Sequence, residues 1–187
     1  MKDRSPAIFL DRDGVIIENR SDYVLSWDDV HFYPQALTAL EMVKHSPYKI
    51  IIVTNQSAVA KGLISIEAGF EINRRIHDEI TRNGGRIDGI YMCPHQAEDG
   101  CDCRKPKPGL IYQASGDLDI DLHHSIMIGD ALSDIQAGMA AGINKNILLL
   151  TGRGQQQSKL PGAAFLQPFT VHQNLQEAIN SLLLSDN

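Results

Sequence analysis

The sequence predicts an α/β fold, a doubly wound parallel sheet with helices on both faces. Short apolar β-rich runs recur along the 187 residues, helix-like segments separate them, and polar residues follow the ends of the runs. Near-continuous apolar strands indicate a sheet buried on both sides. Right-handed crossovers between parallel strands then place helices on both faces. Ligands in such sheets bind beyond the carboxyl ends of the strands, so residues just after each strand carry functional weight.

The expected strands are AIFL at 7–10, KIIIVT at 49–54, GIYMC at 89–93, SIMIG at 125–129 and NILLL at 146–150. Leu37, Leu40 and Val43 mark one helical face after the first strand. Phe70, Asn73, Ile76 and Ile80 mark another, with Ser65 as N-cap and Gly84 and Gly85 ending the helix. Further helices are expected around 110–118, 133–141 and 174–184. Ser133 could cap the second of these, and Gly142 could end it in a left-handed conformation. TGRGQQQSKLPG at 151–162 reads as a long polar loop beside the site. The chain shows no internal repeat, low-complexity tract or linker, so residues 1–187 are expected to form a single domain.

Hydrophobic residues make up 43% and charged residues 21% of the sequence, the balance of a globular protein able to bury a full core. Lysine plus arginine total 17 against 23 acidic residues, a formal charge of -6 that argues against nucleic acid or anionic membrane as partners. No window approaches the roughly 20 apolar residues of a membrane span. A cytoplasmic monomer is expected, acting on a small molecule.

Asp11-Arg12-Asp13-Gly14 follows the first strand, Thr54-Asn55-Gln56-Ser57 the second, and Gly129-Asp130 the fourth; the third leads through a cysteine-rich loop to Arg104-Lys105-Pro106. Asp11 and Asp13 lie one residue apart, where alternating side chains point oppositely unless Gly14 turns the chain. With Asp130 they make a carboxylate cluster that is self-repelling without a cation. Hard oxygen ligands suit Mg²⁺, which also takes substrate phosphate oxygens. Each aspartate alone could as well cap a helix or begin a turn. Thr54 alone could be an ordinary β-residue, and Lys105 a solvated charge.

Asp-x-Asp-Gly, strand-Thr-Asn, Arg-Lys-Pro and Gly-Asp-x-x-x-Asp, in this order over residues 11–134, resemble the four motifs of the haloacid dehalogenase superfamily. The resemblance implies that Asp11 is the nucleophile attacking phosphorus, while Asp13 protonates the leaving oxygen and then activates water. It implies that Thr54 bonds the transferred phosphoryl oxygens and that Lys105 neutralises charge shared with Asp11. Asp11, the main-chain carbonyl of Asp13, and Asp130 would hold Mg²⁺, with Asp134 supporting them; Asp134 could equally serve the dipole of its helix. A binding module that has lost catalysis is hard to reconcile with Asp11, Asp13, Lys105 and Asp130 together.

All three cysteines, Cys93, Cys101 and Cys103, lie near His95 in the segment CPHQAEDGCDC. Three thiols and an imidazole are the ligand set of a closed, structural Zn²⁺ site. A local disulfide is the alternative, but it strands one thiol in a chain that reads as cytoplasmic. Cys-x-His before Cys-x-Cys-Arg-Lys-Pro resembles the zinc loop of the superfamily branch containing heptose bisphosphate and histidinol-phosphate phosphatases, which implies a small phosphorylated substrate. Only five residues separate His95 from Cys101, a compact spacing like that of the histidinol-phosphate enzymes, and Ala131 stands where heptose enzymes often carry lysine. By motif position, Arg104 and Lys61 are candidates for holding a second phosphate. Asn55, Gln56 and Ser57 would line the pocket as neutral donors. No insertion large enough for a cap domain interrupts the motifs.

Overall fold

A computed structural model describes residues 4–185 and contains six strands: β1 (Ala7–Leu10), β2 (Lys49–Asn55), β3 (Gly89–Cys93), β4 (Ile126–Gly129), β5 (Lys145–Leu149) and β6 (Thr170–His172). All five pairings are parallel, in the order β3-β2-β1-β4-β5-β6. The chain leaves β1 toward β2 on one side and later returns to place β4 on the other. A crevice therefore opens at the carboxyl ends of β1 and β4, where the winding direction reverses.

Eight helices accompany the strands: α1 (Pro34–Met42), α2 (Ser57–Ala60), α3 (Ile66–Arg82), α4 (Gly109–Leu118), α5 (Leu132–Ala140), α6 (Gly154–Gln157), α7 (Pro161–Phe165) and α8 (Leu175–Ser185). Strand alternation separates two cores. Ile8, Leu10, Ile50, Ile52, Ile126 and Ile128 face α1, α3 and α8. Ala7, Phe9, Ile51, Val53 and Met127 face α4 and the small residues of α5. Burial of both faces explains why the strand sequences are apolar throughout.

The helix signals hold at several ends. The Ser65 hydroxyl accepts from the Ala68 amide at 3.1 Å to cap α3, and Gly142 follows α5 at φ +83°. Ser133, expected as a cap, instead lies inside α5, whose first turn is closed by the Asp134 carboxylate accepting from the Ala131 amide at 3.0 Å. Phe70, expected on the buried face of α3, is 55% exposed. Its place is taken by Gly69 and Ile72, which align with Asn73, Ile76 and Ile80.

Two further corrections concern the carboxyl-terminal third. The segment 151–162 is not a long loop: half of it forms α6 and the start of α7, and turns join the two. Its polar residues have work within the fold, since the Gln157 carboxamide oxygen accepts from the Leu132 amide at 3.1 Å. The short edge strand β6 carries no apolar run and escapes a periodicity reading. Among the described residues no large cap domain interrupts the sheet, and no helix is long and apolar enough to cross a membrane.

Candidate active site

Asp11 is the first residue beyond β1, and its amide still donates to the Ile128 carbonyl at 3.0 Å, continuing the ladder with β4. Its side chain is thus set rigidly over the crevice. Gly14 turns the chain at φ +86°, and a Cβ there would meet the Asp130 carboxylate at 2.1 Å. Gly129 is required by packing alone, since a Cβ at that position would strike Asp134 at 2.2 Å. Glycine therefore lets Asp130 and Asp134 crowd onto Asp11.

The carboxylates of Asp11, Asp130 and Asp134 offer oxygens that all lie within 4.8 Å of one another. All three residues are buried. Lys105 enters from the loop after β3, its Nζ lying 2.8 Å from Asp11 Oδ1 and 2.7 Å from Asp134 Oδ1 and donating to the Val53 carbonyl at 2.7 Å. Burial pushes the Asp11 carboxyl up to about 7, opposed by Lys105 and reinforced by Asp134, Asp130 and Asp13. Burial also raises Asp130, with Asp134 adding and Arg153 opposing. Burial alone would neutralise Lys105, but attraction to Asp11 and Asp134 outweighs it and holds the ammonium charged.

This cluster fits a divalent cation. Asp134 Oδ1 lies close to Lys105 Nζ, yet no hydrogen bond of good angle satisfies that buried oxygen. The Lys105 ammonium and the half-exposed Arg153 guanidinium together do not balance three buried carboxylates, and a hard cation with oxygen ligands does. Asp13 points elsewhere: its carboxylate accepts from Gln56 Nε2 at 2.8 Å, from Thr54 Oγ1 at 3.5 Å and from Arg12 on both oxygens at 3.1 Å. Asp134, expected as a supporting residue, closes α5 and reaches the cluster with the same side chain.

Asn55 holds Lys105 in place, its Oδ1 accepting from the Lys105 amide at 3.1 Å and its Nδ2 donating to the Lys105 carbonyl at 3.0 Å. The cation paired with Asp11 is thereby clasped to the end of β2. Arg104 donates to the His95 carbonyl at 2.9 Å, which ties it to the cysteine loop. Both arginine and lysine line a cleft of about 560 Å³ that also exposes Asp11, Asp13, Gln56 and Ser57. Lys61 does not line it; its Nζ donates to the Tyr23 hydroxyl, and Tyr23 forms part of the wall.

Several lining residues carried no motif. Asn19, Arg20, Ser21 and Tyr23 come from the irregular segment between β1 and α1, and Arg153 comes from the start of α6. The Arg153 amide donates to Asp130 at 2.8 Å, and its guanidinium lies 3.4 Å from the same carboxylate. Polar residues in a segment without periodicity look like solvated loop, and only folding over the crevice distinguishes them.

Cys93, His95, Cys101 and Cys103 also converge. Cys103 Sγ lies 3.0 Å from Cys93 Sγ and 3.5 Å from Cys101 Sγ, with His95 Nδ1 at 3.3 Å from Cys103 and 3.6 Å from Cys93. The three thiols are free, each Sγ separation being well beyond a disulfide bond. Bond lengths to zinc of about 2.3 Å for sulfur and 2.0 Å for nitrogen put tetrahedral edges near 3.5 to 3.8 Å, close to most of these separations. The residues present fit that ion.

A parallel sheet with an aspartate at its reversal point, a buried lysine beside it and a carboxylate cluster make a site suited to handling a phosphoryl group. A HAD-hydrolase-like family model matches residues 102–178. The D-glycero-beta-D-manno-heptose-1,7-bisphosphate 7-phosphatase of Vibrio cholerae is 41% identical over 155 residues, covering 79% of this chain and 83% of that one. The Helicobacter pylori protein of the same name is 38% identical over 145 residues, covering 77% and 83%. The chain therefore belongs to the haloacid dehalogenase-like hydrolases, within their phosphatase branch. Among solved structures, the D,D-heptose 1,7-bisphosphate phosphatase from B. bronchiseptica, complexed with magnesium and phosphate, superposes with a TM-score of 0.87 at 33% identity, covering 96% of this chain and 99% of that one.

Proposed function

We propose that this chain is a Mg²⁺-dependent phosphatase that removes the 7-phosphate of D-glycero-D-manno-heptose 1,7-bisphosphate through an aspartyl phosphate on Asp11. One observation carries the reading: a buried aspartate at the sheet's reversal point is paired with a buried lysine at 2.8 Å, on the floor of an open cleft walled by arginines. The substrate follows the names of the relatives, and arginines on the wall supply charge for the phosphate that is not cleaved.

Asp11 attacks phosphorus with a carboxylate oxygen, and the bond from phosphorus to the sugar oxygen breaks with its electron pair going to that oxygen. Asp13, in its acid form, gives the oxygen a proton, and the sugar leaves as an alcohol. Asp13 then takes a proton from water, which attacks the aspartyl phosphate; the phosphorus–Asp11 bond breaks, the carboxylate is restored and inorganic phosphate departs. Lys105 offsets charge shared between Asp11 and the phosphoryl oxygens, and Thr54 donates to one of those oxygens. Gln56 steadies both Asp13 and Thr54, donating to each at 2.8 Å.

Asp11, Asp130 and the main-chain carbonyl of Asp13 would hold Mg²⁺, which when bound supplies positive charge to the phosphoryl oxygens. Asp134 supports Lys105 from beneath. Cys93, His95, Cys101 and Cys103 would hold a structural Zn²⁺ that stiffens the loop carrying Arg104 and Lys105. Asn55, Ser57 and Arg104 complete the substrate wall, and Lys61 supports it from behind by donating to the Tyr23 hydroxyl. Residues 1–187 act as one domain and as a monomer in the cytoplasm, where thiols stay reduced.

Phosphate release by the purified protein from both anomers of the heptose bisphosphate, histidinol phosphate and fructose 1,6-bisphosphate, with Mg²⁺ or with chelator, tests the reading. A kcat/KM highest for the heptose, and loss of the 7-phosphate signal by phosphorus NMR, are expected. Preference for histidinol phosphate would overturn the substrate, and turnover indifferent to Mg²⁺ would overturn the cation.

A further inference from the structure

Arg12, between the two aspartates, has no part in the reaction as written above, and its side chain is among the most deeply buried in the molecule at 1% exposed. Burying a guanidinium is costly unless every face of it is paired. Here three of its nitrogens are. Nε and Nη2 donate to the two Asp13 oxygens, Oδ2 and Oδ1, at 3.1 Å each. Nη1 donates at 2.8 Å to Oδ1 of Asn73. Asn73 is itself buried on the apolar face of α3, between Ile72 and Ile76, and among the described residues its Nδ2 meets only the weak acceptor Met92 Sδ, at 3.5 Å. A carboxamide on that face is unfavourable for packing unless its oxygen is needed.

We propose that Arg12 and Asn73 are positioning residues that aim the Asp13 carboxyl at the oxygen of the leaving alcohol. A two-pronged grip on both oxygens fixes the plane of a carboxyl group, which a single contact cannot do. Asn73 fixes the guanidinium in turn, so the orientation of Asp13 is anchored to the long helix α3 rather than to the turn at Gly14. Arginine is needed for this geometry, because lysine offers one nitrogen where the fork offers three. The inference rests on Asp13 being the general acid and base.

The test is the dependence of kcat/KM on the leaving group, across phosphate esters running from p-nitrophenol to simple alcohols. A well-aimed acid makes poor leaving groups depart almost as readily as good ones. The variants are Arg12→Lys, Asn73→Ala and Asn73→Asp, with Asp13→Asn as control and thermal melts on all. For Arg12→Lys, alkyl esters should lose about 100-fold, the low end of general acid catalysis, and the p-nitrophenyl ester should lose less than about 5-fold. Asn73→Ala should shift the dependence in the same direction by less, and Asn73→Asp, which keeps an acceptor for Nη1, should stay near wild type. If Arg12→Lys does not fold, the two Asn73 variants carry the comparison. Equal losses on every ester would mean that the pair is structural, and faster alkyl turnover would mean that it parks Asp13 out of reach; either overturns the proposal. If Asp13→Asn itself leaves the dependence unchanged, the role of Asp13 fails instead.

Discussion

At the scale of single residues, the site is a set of charges held where solvent cannot relieve them. Asp11→Asn replaces a nucleophilic carboxylate by an amide without changing shape, so turnover should fall below a few per cent of wild type with the melting temperature largely kept. Retention of activity would remove Asp11 from the mechanism. Arg104 and Lys105 both line the cleft but have distinct partners, the first tied to the His95 carbonyl and the second paired with Asp11 and Asp134. Lys105→Ala should collapse kcat on every phosphomonoester, and it should destabilise the fold because Asp11 and Asp134 lose their shared cation. Arg104→Ala should cost about 1.5 to 3 kcal/mol of kcat/KM with the bisphosphate, the scale of a charged hydrogen bond, and little with an aryl phosphate. Equal losses on the two substrates would show that Arg104 serves the common phosphoryl group or only its tie to the His95 carbonyl.

At the scale of elements, strand ends and short loops set the precision of the site. The loop from Cys93 to Cys103 contains only a 3₁₀ turn at Ala97–Asp99 and no buried apolar residue beyond Cys93. With so little burial, a metal bridging the four converging side chains is expected to supply much of its order, beside a few hydrogen bonds. Elemental analysis should find one tightly held zinc per chain, and Cys101→Ser with Cys103→Ser should release it. Turnover should drop in step with zinc lost, because Arg104 and Lys105 follow Cys103 directly. Full activity in a zinc-free protein would sever the loop from catalysis. The end of β4 is equally exacting: Gly129→Ala drives a methyl group into Asp134, so it should lower both melting temperature and activity although glycine is not needed there for its dihedral angles.

For the whole molecule, the balance of charge at the crevice ties stability to pH and cation together. With Asp11 raised from 3.8 to about 7, the metal-free folded chain holds a proton that the unfolded chain has released. Stability from this group therefore falls as pH rises across that window, and the ionised cluster is least comfortable above it. A divalent cation binds the ionised carboxylates and competes with that proton. Added Mg²⁺ should raise the melting temperature little at pH 5 and progressively more toward pH 8. A shift of the same size at both pH values would place the cation away from Asp11.

The sequence alone determined the α/β class, five of the six strands and every motif, because strands buried on both faces must be apolar and the reacting groups must stand at their ends. It also picked out the four candidate zinc ligands, which lie within eleven consecutive residues. The compact spacing of that loop pointed toward histidinol phosphate, whereas the relatives at 41% and 38% identity carry heptose bisphosphate phosphatase names. Tertiary structure decided the rest. It brought the Asp134 carboxylate into the cluster while it closed α5, and it turned a polar stretch into α6, placing Arg153 against Asp130. It linked Arg12 to Asn73 across 61 positions of sequence. Such contacts depend on which residue faces which after two elements pack, and a helical period marks Asn73 as buried without naming the partner that makes its burial tolerable.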